Sequence, residues 1–469
     1  MYNFLNRVFK LEENHTTVRA EIVGGLTTFF AMCYIIIVNP NQMIGFSFDV
    51  PGIWGIWNAC FVGGILAAVI ATLCMAFLAN KPFALAAGMG LNSFFFVSFI
   101  LPCLIGGHSV FDGYGAGLAV ILISGIIFLI LSITGVRKHI ATSLPTSLKC
   151  AIPAGIGLFI ALIGFANSGI VVGNPYTFVA LTDFSTWKSA APALVAFIGL
   201  VVIVVLAKSK ISWLRSSAVI LGILVATACF YAFGLFDSEA IVKTSVGTVF
   251  SDWAKHGLFN LKFGKAFDGV TIGSVFSVIM LVITYCLVDI FDTLGTVYGT
   301  ATEAGLVDEN GDPQNLQEIM HSDAIGTVAG AVTGTSTITT FVESASGVAS
   351  GARTGLASVV TSILFLLCLF VAPVAQYVPT AATAPALIYV GILMIKNITN
   401  VDFTDITNAA TAFMTLAIMP LTYSISNGIM VGAITYVLLR LLTGKYNKKD
   451  LVVTGIAILA ILKFVFVKM

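Results

Sequence analysis

Charge is scarce in this chain. Lys, Arg, Asp and Glu together make 10% of its 469 residues, and 23 basic against 22 acidic side chains leave a net charge of +1. Such a balance offers no basic face to a nucleic acid, so none is expected as a partner. The eight cysteines stand singly (Cys33, Cys60, Cys74, Cys103, Cys150, Cys229, Cys286 and Cys368) with no CxxC among them. They read as small membrane-helix residues rather than as disulfides. The five histidines are equally dispersed, without HExxH or paired spacing, so neither a metal nor a bound cofactor is expected. Met1 to Asn14 is polar and lacks the apolar core and cleavage site of a signal peptide.

What fills the chain instead is apolar. Hydrophobic residues make 58% of it, in long stretches that leave no room for a separate soluble domain. Hydropathy marks fourteen candidate spans between residues 20 and 442. Those at 83–101, 321–334 and 341–351 are short or interrupted by polar residues and glycine. Short, broken segments at matching places in two halves are the sequence mark of a transporter's binding site. The forty-four glycines fit close helix packing and broken helices.

Arg7, Lys10, Arg19, Lys81, Arg137, Lys138, Lys208, Lys210, Arg215, Arg353, Lys396, Arg440, Lys445, Lys448 and Lys449 all fall on one side of a fourteen-crossing chain. That side is cytoplasmic by the positive-inside rule, and both termini lie there, in the cytoplasmic (inner) membrane. Lys243, Lys255, Lys262 and Lys265 land outside and the acidic loop 303–318 inside; the majority decides, since acids count little and long loops cross regardless of charge. Residues 451–467, with Lys463 among them, read as an interfacial helix rather than a fifteenth crossing.

An internal echo joins the halves. The broken third span PFALAAGMGLNSFFF answers to the tenth, TSTITTFVESASG, and Ile152-Pro153-Ala154 to Ala384-Pro385-Ala386 seven spans later. Seven is odd, so the second half is inserted upside down, which makes an inverted repeat.

Three acids stand out against this background. Asp289 and Asp292 sit near the end of an apolar run and, at i and i+3, share one helix face. Two carboxylates so close in low dielectric do not both ionise comfortably, so the pair suits a proton-coupled site. Glu343 follows Thr335-Ser336-Thr337-Ile338-Thr339-Thr340, a string with β-propensity and hydroxyls that satisfy backbone locally. A carboxylate at the start of a helix that begins inside the membrane can accept hydrogen bonds from a ligand's N–H groups. Pro82 to Asn92 supplies a partner strand, because unpaired backbone is intolerable at membrane depth. Asn92 then offers a donor and an acceptor, and Phe341 a ring that could stack on a flat ligand. The bland alternatives are a solvated Asp292 at the membrane boundary, a capping Glu343 and a packing amide at Asn92.

The strings TTFFAMCYIIIVNP, PFALAAGMGLN, DIFDTLGT, SDAIGTVAGAVTGTSTITTFVESASGVASGARTGL and MPLTYSISNGI resemble those of the AzgA-like hypoxanthine/adenine/guanine permeases, a branch of the nucleobase/ascorbate transporter superfamily. The resemblance runs from about Arg19 to Leu442. It implies an all-α membrane protein of fourteen spans in a seven-plus-seven inverted repeat, with two short strands in broken spans 3 and 10. A core domain (20–134 and 270–374) would move against a gate domain (142–235 and 380–442). It also implies proton-coupled uptake of a purine base, with the proton as coupling ion and no cofactor. Residue by residue, the essential acid maps to Asp289 and the specificity-linked aspartate to Asp292. The glutamate after the tenth-span strand maps to Glu343, and the third-span Gly-x-Asn to Gly90 and Asn92. Asp323 would open the ninth span near the site. Ser93 departs from the alanine of many members. Partners would be a purine nucleobase and the bilayer, with assembly as a homodimer left open.

Rival readings have less behind them. Another nucleobase, xanthine or uracil, fits the same fold. An anion site should present lysine, arginine or bare helix N-termini rather than carboxylates. An intramembrane aspartyl protease needs aspartates on separate helices and a Gly-x-Gly-Asp string, which is absent. A channel suits broken helices around a compact polar site less well than an occluding transporter does.

Overall fold

The computed structural model describes residues 2–134, 144–235, 245–268, 275–304, 306–307 and 313–466. Arg137, Lys138 and Lys243 of the charge count lie outside the described residues. So do 305 and 308–312 of the acidic loop, residue 467, and the first residues of segments 142–235 and 270–374. Among the described residues, ten helices are long and apolar enough to cross a membrane, and two shorter apolar ones, Ala218–Ala232 and Ile406–Leu421, accompany them. The chain is a mostly helical, multi-pass membrane protein.

Four strands are present among the described residues: β1 (Leu85–Ala87), β2 (Val171–Asn174), β3 (Phe178–Leu181) and β4 (Ile338–Thr340). β1 pairs with β4 as the sequence suggests, but the β2–β3 hairpin goes beyond the two strands expected. Its turn is made by Asn174, whose side-chain oxygen accepts from Tyr176 N (2.8 Å) and Thr177 N (3.1 Å).

Two boundaries differ from the hydropathy reading. The first span is two helices, Val18–Met32 and Ile35–Met43, which meet at Cys33-Tyr34. There tighter bonds, Ile36 N to Cys33 O and Ile37 N to Tyr34 O, interrupt the regular ladder. The ninth helix runs Leu316–Thr333, so Asp323 lies inside it rather than opening it. Asn315 fixes the earlier start: it takes a left-handed backbone (φ +58°) and its amide donates to Ala79 O at 3.0 Å.

Two packed groups emerge. In one, Val18–Met32, Ile53–Cys74, Val110–Ile133, Leu316–Thr333 and Gly355–Leu367 pack around the β1–β4 pair. In the other, Thr146–Asn167, Trp187–Ala207, Ala218–Ala232, Thr380–Ile395, Ile406–Leu421 and Ile425–Leu442 pack on one another. At the centre of the second group Thr146–Asn167 lies against Thr380–Ile395. Each follows a proline N-cap (Pro145, Pro379) and carries an interior proline (Pro153, Pro385). They close on glycine: a Cβ on Gly391 would stand 2.6 Å from the Gly157 carbonyl oxygen. The final helix, Leu451–Phe466, packs on Ile425–Leu442, and Lys463 Nζ donates to Ser426 Oγ at 3.0 Å.

Candidate functional site

The site is built on the two strands. Leu85 pairs with Thr340, Ala86 with Thr339 and Ala87 with Ile338, and the ladder is extended by Gly88 N to Thr337 O (3.1 Å) and Phe341 N to Ala84 O (3.0 Å). Three-residue strands would leave bare edges in an apolar interior, and side-chain hydroxyls from neighbouring helices cover them. Thr72 Oγ1 donates to Leu85 O (3.1 Å) and accepts from Leu85 N (2.9 Å). Thr327 Oγ1 contacts Ile338 O on the other strand at 3.5 Å. Ser358 Oγ donates to Phe83 O ahead of β1, as Tyr114 OH does to Gly334 O ahead of β4. These helpers come from Ile53–Cys74 and Leu316–Thr333 and from Val110–Ile133 and Gly355–Leu367, which are spans 2, 9, 4 and 11 of the fourteen expected from hydropathy.

The chain leaves β1 through Gly88 into the helix Met89–Phe95, which carries Gly90 and Asn92. Asn92 is fully buried; its Nδ2 donates to Gln42 Oε1 (3.3 Å) and its Oδ1 accepts from Ser336 Oγ. Asn92 therefore ties the third span to the first and tenth. Gly90 faces the second packed group: a Cβ there would come within 2.8 Å of Ile425 Cδ1 and 3.1 Å of Ile156 Cγ2. Glycine lets the two groups touch at this point.

Glu343 is the N-cap residue of the short helix Ser344–Ala349 but makes no side-chain cap bond. Its Oε1 instead accepts from Tyr34 OH at 2.6 Å. Tyr34 is fully buried at the break in the first span, with its hydroxyl 4.0 Å from Met89 Sδ. Tyr389, on Thr380–Ile395 of the second group, lies within electrostatic range of Glu343. Phe341 is buried beside it.

The two aspartates share the helix Val275–Ala304 but not their surroundings. Asp289 is buried and accepts from Thr327 Oγ1 at 3.0 Å, on the side of the ninth span. Asp292 reaches the strands: it accepts from the Thr339 hydroxyl, and its Oδ2 stands 3.6 Å from where a Cβ on Gly88 would be. It lies within electrostatic range of Asp323 and Glu343. Asp323 accepts from Thr293 Oγ1 at 2.7 Å. Of the residues expected from sequence, Asp292, Glu343, Gly90, Asn92 and Phe341 thus gather at the ends of the strand pair. Asp289 stands one helix turn away, against the ninth span.

Sequence reasoning passed over Tyr34, Gln42, Thr327 and Tyr389. A tyrosine next to Ile35-Ile36-Ile37 carries no signal until its hydroxyl is seen on a carboxylate. Geometrically the arrangement can take N–H donors of a flat, neutral ligand on carboxylates, hold its face against an aromatic ring, and exchange a proton.

Known proteins resemble the chain in sequence and in fold. A sequence profile described as "Permease family" matches residues 19–431. The chain is 37% identical over 465 residues to the adenine permease AdeP of Escherichia coli (strain K12), covering 99% of this chain and 96% of that protein. It is 38% identical over 464 residues to the guanine/hypoxanthine permease PbuG of Bacillus subtilis (strain 168), covering 98% and 99%. Among solved structures, the transmembrane domain of a cyanobacterium bicarbonate transporter, BicA, superposes with a TM-score of 0.58 at 16% identity over 94% of this chain and 97% of that one. SLC26A9 superposes with a TM-score of 0.55 at 13% identity over 91% and 66%. The two structures share the fold alone.

Proposed function

We propose, on the premise that this chain belongs to the permease family, that it imports purine nucleobases with protons across the cytoplasmic membrane. It is a transporter and not an enzyme. The observation that carries the substrate reading is Glu343, held by Tyr34 at the end of the β1–β4 pair with Asp292 and Asn92 beside it. A purine's N–H groups need acceptors in a buried site, and these side chains supply them. The relatives named for adenine and for guanine and hypoxanthine support a purine over a pyrimidine. Against the anion alternative, the side chains gathered here are carboxylates, an amide and hydroxyls.

The architecture we infer is the fourteen-span inverted repeat with both termini cytoplasmic. Its support is the matched pair of proline-capped helices and the matched hydroxyls on spans 2 and 9 and on spans 4 and 11. The first packed group is the core that carries the base, and the second is the gate against which it moves. Asp292, next to the strands, is the acid we assign to the base, and Asp289 the one held by the core. Together with Glu343 they take up the coupling proton.

Uptake of radiolabelled adenine, guanine and hypoxanthine, competed by xanthine and uracil, tests the substrate. Uptake that rises as external pH falls and collapses with a protonophore is the expected result. Sodium-dependent, pH-insensitive uptake would remove the proton from the reading. A disulfide engineered between core and gate should stop uptake while leaving binding measurable; continued passage through the locked protein would point to a channel.

A further inference from the structure

We propose that a second site for the same flat, uncharged base lies at the outer mouth of the core–gate boundary, in an aromatic cavity filled before the base reaches Glu343. The inference rests on the purine reading above.

The cavity has a volume of about 240 Å³, and among the described residues no charged side chain lines it. Its walls come from the ends of Ile35–Met43 and Ala218–Ala232, the start of Ile53–Cys74, and the segment joining Ala372–Ala375 to Thr380–Ile395. The positive-inside count puts every one of these ends outside. Trp54 belongs to the first packed group, on which Ile35–Met43 with Asn41 packs, and Tyr231 to the second, so the cavity straddles the surface across which the groups move.

Its lining is that of a site for an aromatic ring. Phe48, Trp54 and Trp57 follow one another with centroids 5.3 and 5.7 Å apart, and Tyr231 and Tyr377 face them, joined by a 2.8 Å bond from the Tyr231 hydroxyl to the Tyr377 carbonyl. Aromatic side chains of this kind stack bases without regard to sequence. Among the polar side chains of its lining, which include Gln376 and Thr380, Asn41 gives the cavity direction. Asn41 is 3% exposed, and Trp57 Nε1 donates to its Oδ1 at 2.7 Å, which fixes the orientation of the amide. Among the described residues no acceptor takes the Asn41 Nδ2 protons. A purine supplies what is missing, a ring nitrogen acceptor in the plane of a flat apolar surface. An acyl chain offers no acceptor, and an ionic solute would find no counter-charge among the described lining residues. A small, mostly apolar cavity with a few fixed polar groups is the ordinary form of a small-molecule site.

The test uses the full-length protein in lipid nanodiscs, with adenine and hypoxanthine as probes and tryptophan emission excited at the red edge. In Glu343→Gln, which has lost the inner site, the bases should still quench emission, and Trp54→Leu added to it should remove most of that response. In the otherwise wild-type transporter, Trp54→Leu should raise the half-saturating base concentration about five- to tenfold with the maximal rate kept, and Trp54→Phe should restore it. Tyr377→Ala, on the opposite wall, should act in the same direction and guards against a folding defect peculiar to Trp54. Unchanged kinetics in both Trp54→Leu and Tyr377→Ala, or no quenching in Glu343→Gln, overturns the outer site. The purine reading then stands as long as wild type imports the base and Glu343→Gln does not. If wild type imports no purine, both readings fall. Brominated acyl chains that quench Trp54 and are not displaced by base would assign the cavity to lipid, and the proposal would be lost.

Discussion

Glu21 and Glu343 are both buried glutamates at the start of helices, and they do opposite things. Glu21 is fully buried and saturated: it accepts from Arg353 N (2.8 Å), Thr354 N (3.2 Å), Ala357 N (3.2 Å) and Thr16 Oγ1 (2.9 Å). It caps the helix Gly355–Leu367 from another span, and its acceptor capacity is spent on the protein. Glu343 takes a single side-chain bond among the described residues, from Tyr34. Burial of a carboxylate therefore says little by itself. What separates a fastener from a site is how much of its bonding is already used.

Substitution tests the contrast, with the loss of uptake per folded molecule falling from Glu343 to Glu21. Glu343→Gln should lower base uptake at least ~100-fold with membrane abundance unchanged, since a buried carboxylate acceptor is lost where the base is proposed to bind. Wild-type uptake in this variant would make Glu343 a second fastener. Asp292→Asn should come next, with a loss several-fold greater than that of Asp289→Asn, because Asp292 lies on the strands and Asp289 on Thr327. A reversed order, read from uptake and direct binding, would return the leading role to Asp289. Tyr34→Phe removes one bond to a carboxylate, worth about 1.5–3 kcal/mol, and should weaken base binding about tenfold without abolishing transport. Glu21→Gln should have the least effect on uptake per folded molecule and the largest on stability. It loses acceptor capacity where several buried donors converge, about 1.5–3 kcal/mol, seen as a lower melting temperature and a reduced folded yield. If Glu21→Gln folds normally and fails to transport, the distinction between the two glutamates is wrong.

Much of the site was legible in the sequence because membranes forbid loose backbone. The Thr/Ser string before Glu343 and the Ala/Gly string before Asn92 had to find partners, and they found each other as β1 and β4. The acids were legible because they are rare. Their relative standing was not: whether Asp289 or Asp292 meets the strands depends on the rotation of Val275–Ala304 about its axis, which packing sets. Tyr34 was hidden for a similar reason, since its partner lies on a distant span. The start of the ninth helix was missed because Asn315 holds it through a bond to Ala79, outside any local pattern. The β2–β3 hairpin is short and carries exposed apolar side chains, so hydropathy saw only a loop.

The pairing of β1 with β4 also bears on how the protein is made. More than half of the chain separates Leu85 from Thr340. At a synthesis rate of about 5–20 residues per second, β1 waits roughly 10–50 s in the bilayer before its partner has left the ribosome. Thr72, already inserted, can hold one edge of Leu85 during that interval. The other edge has no stable partner until the second half arrives. A chain stopped before residue 338 should therefore be cleared by membrane quality control, and two separately expressed halves should survive only when each is present to complete the other.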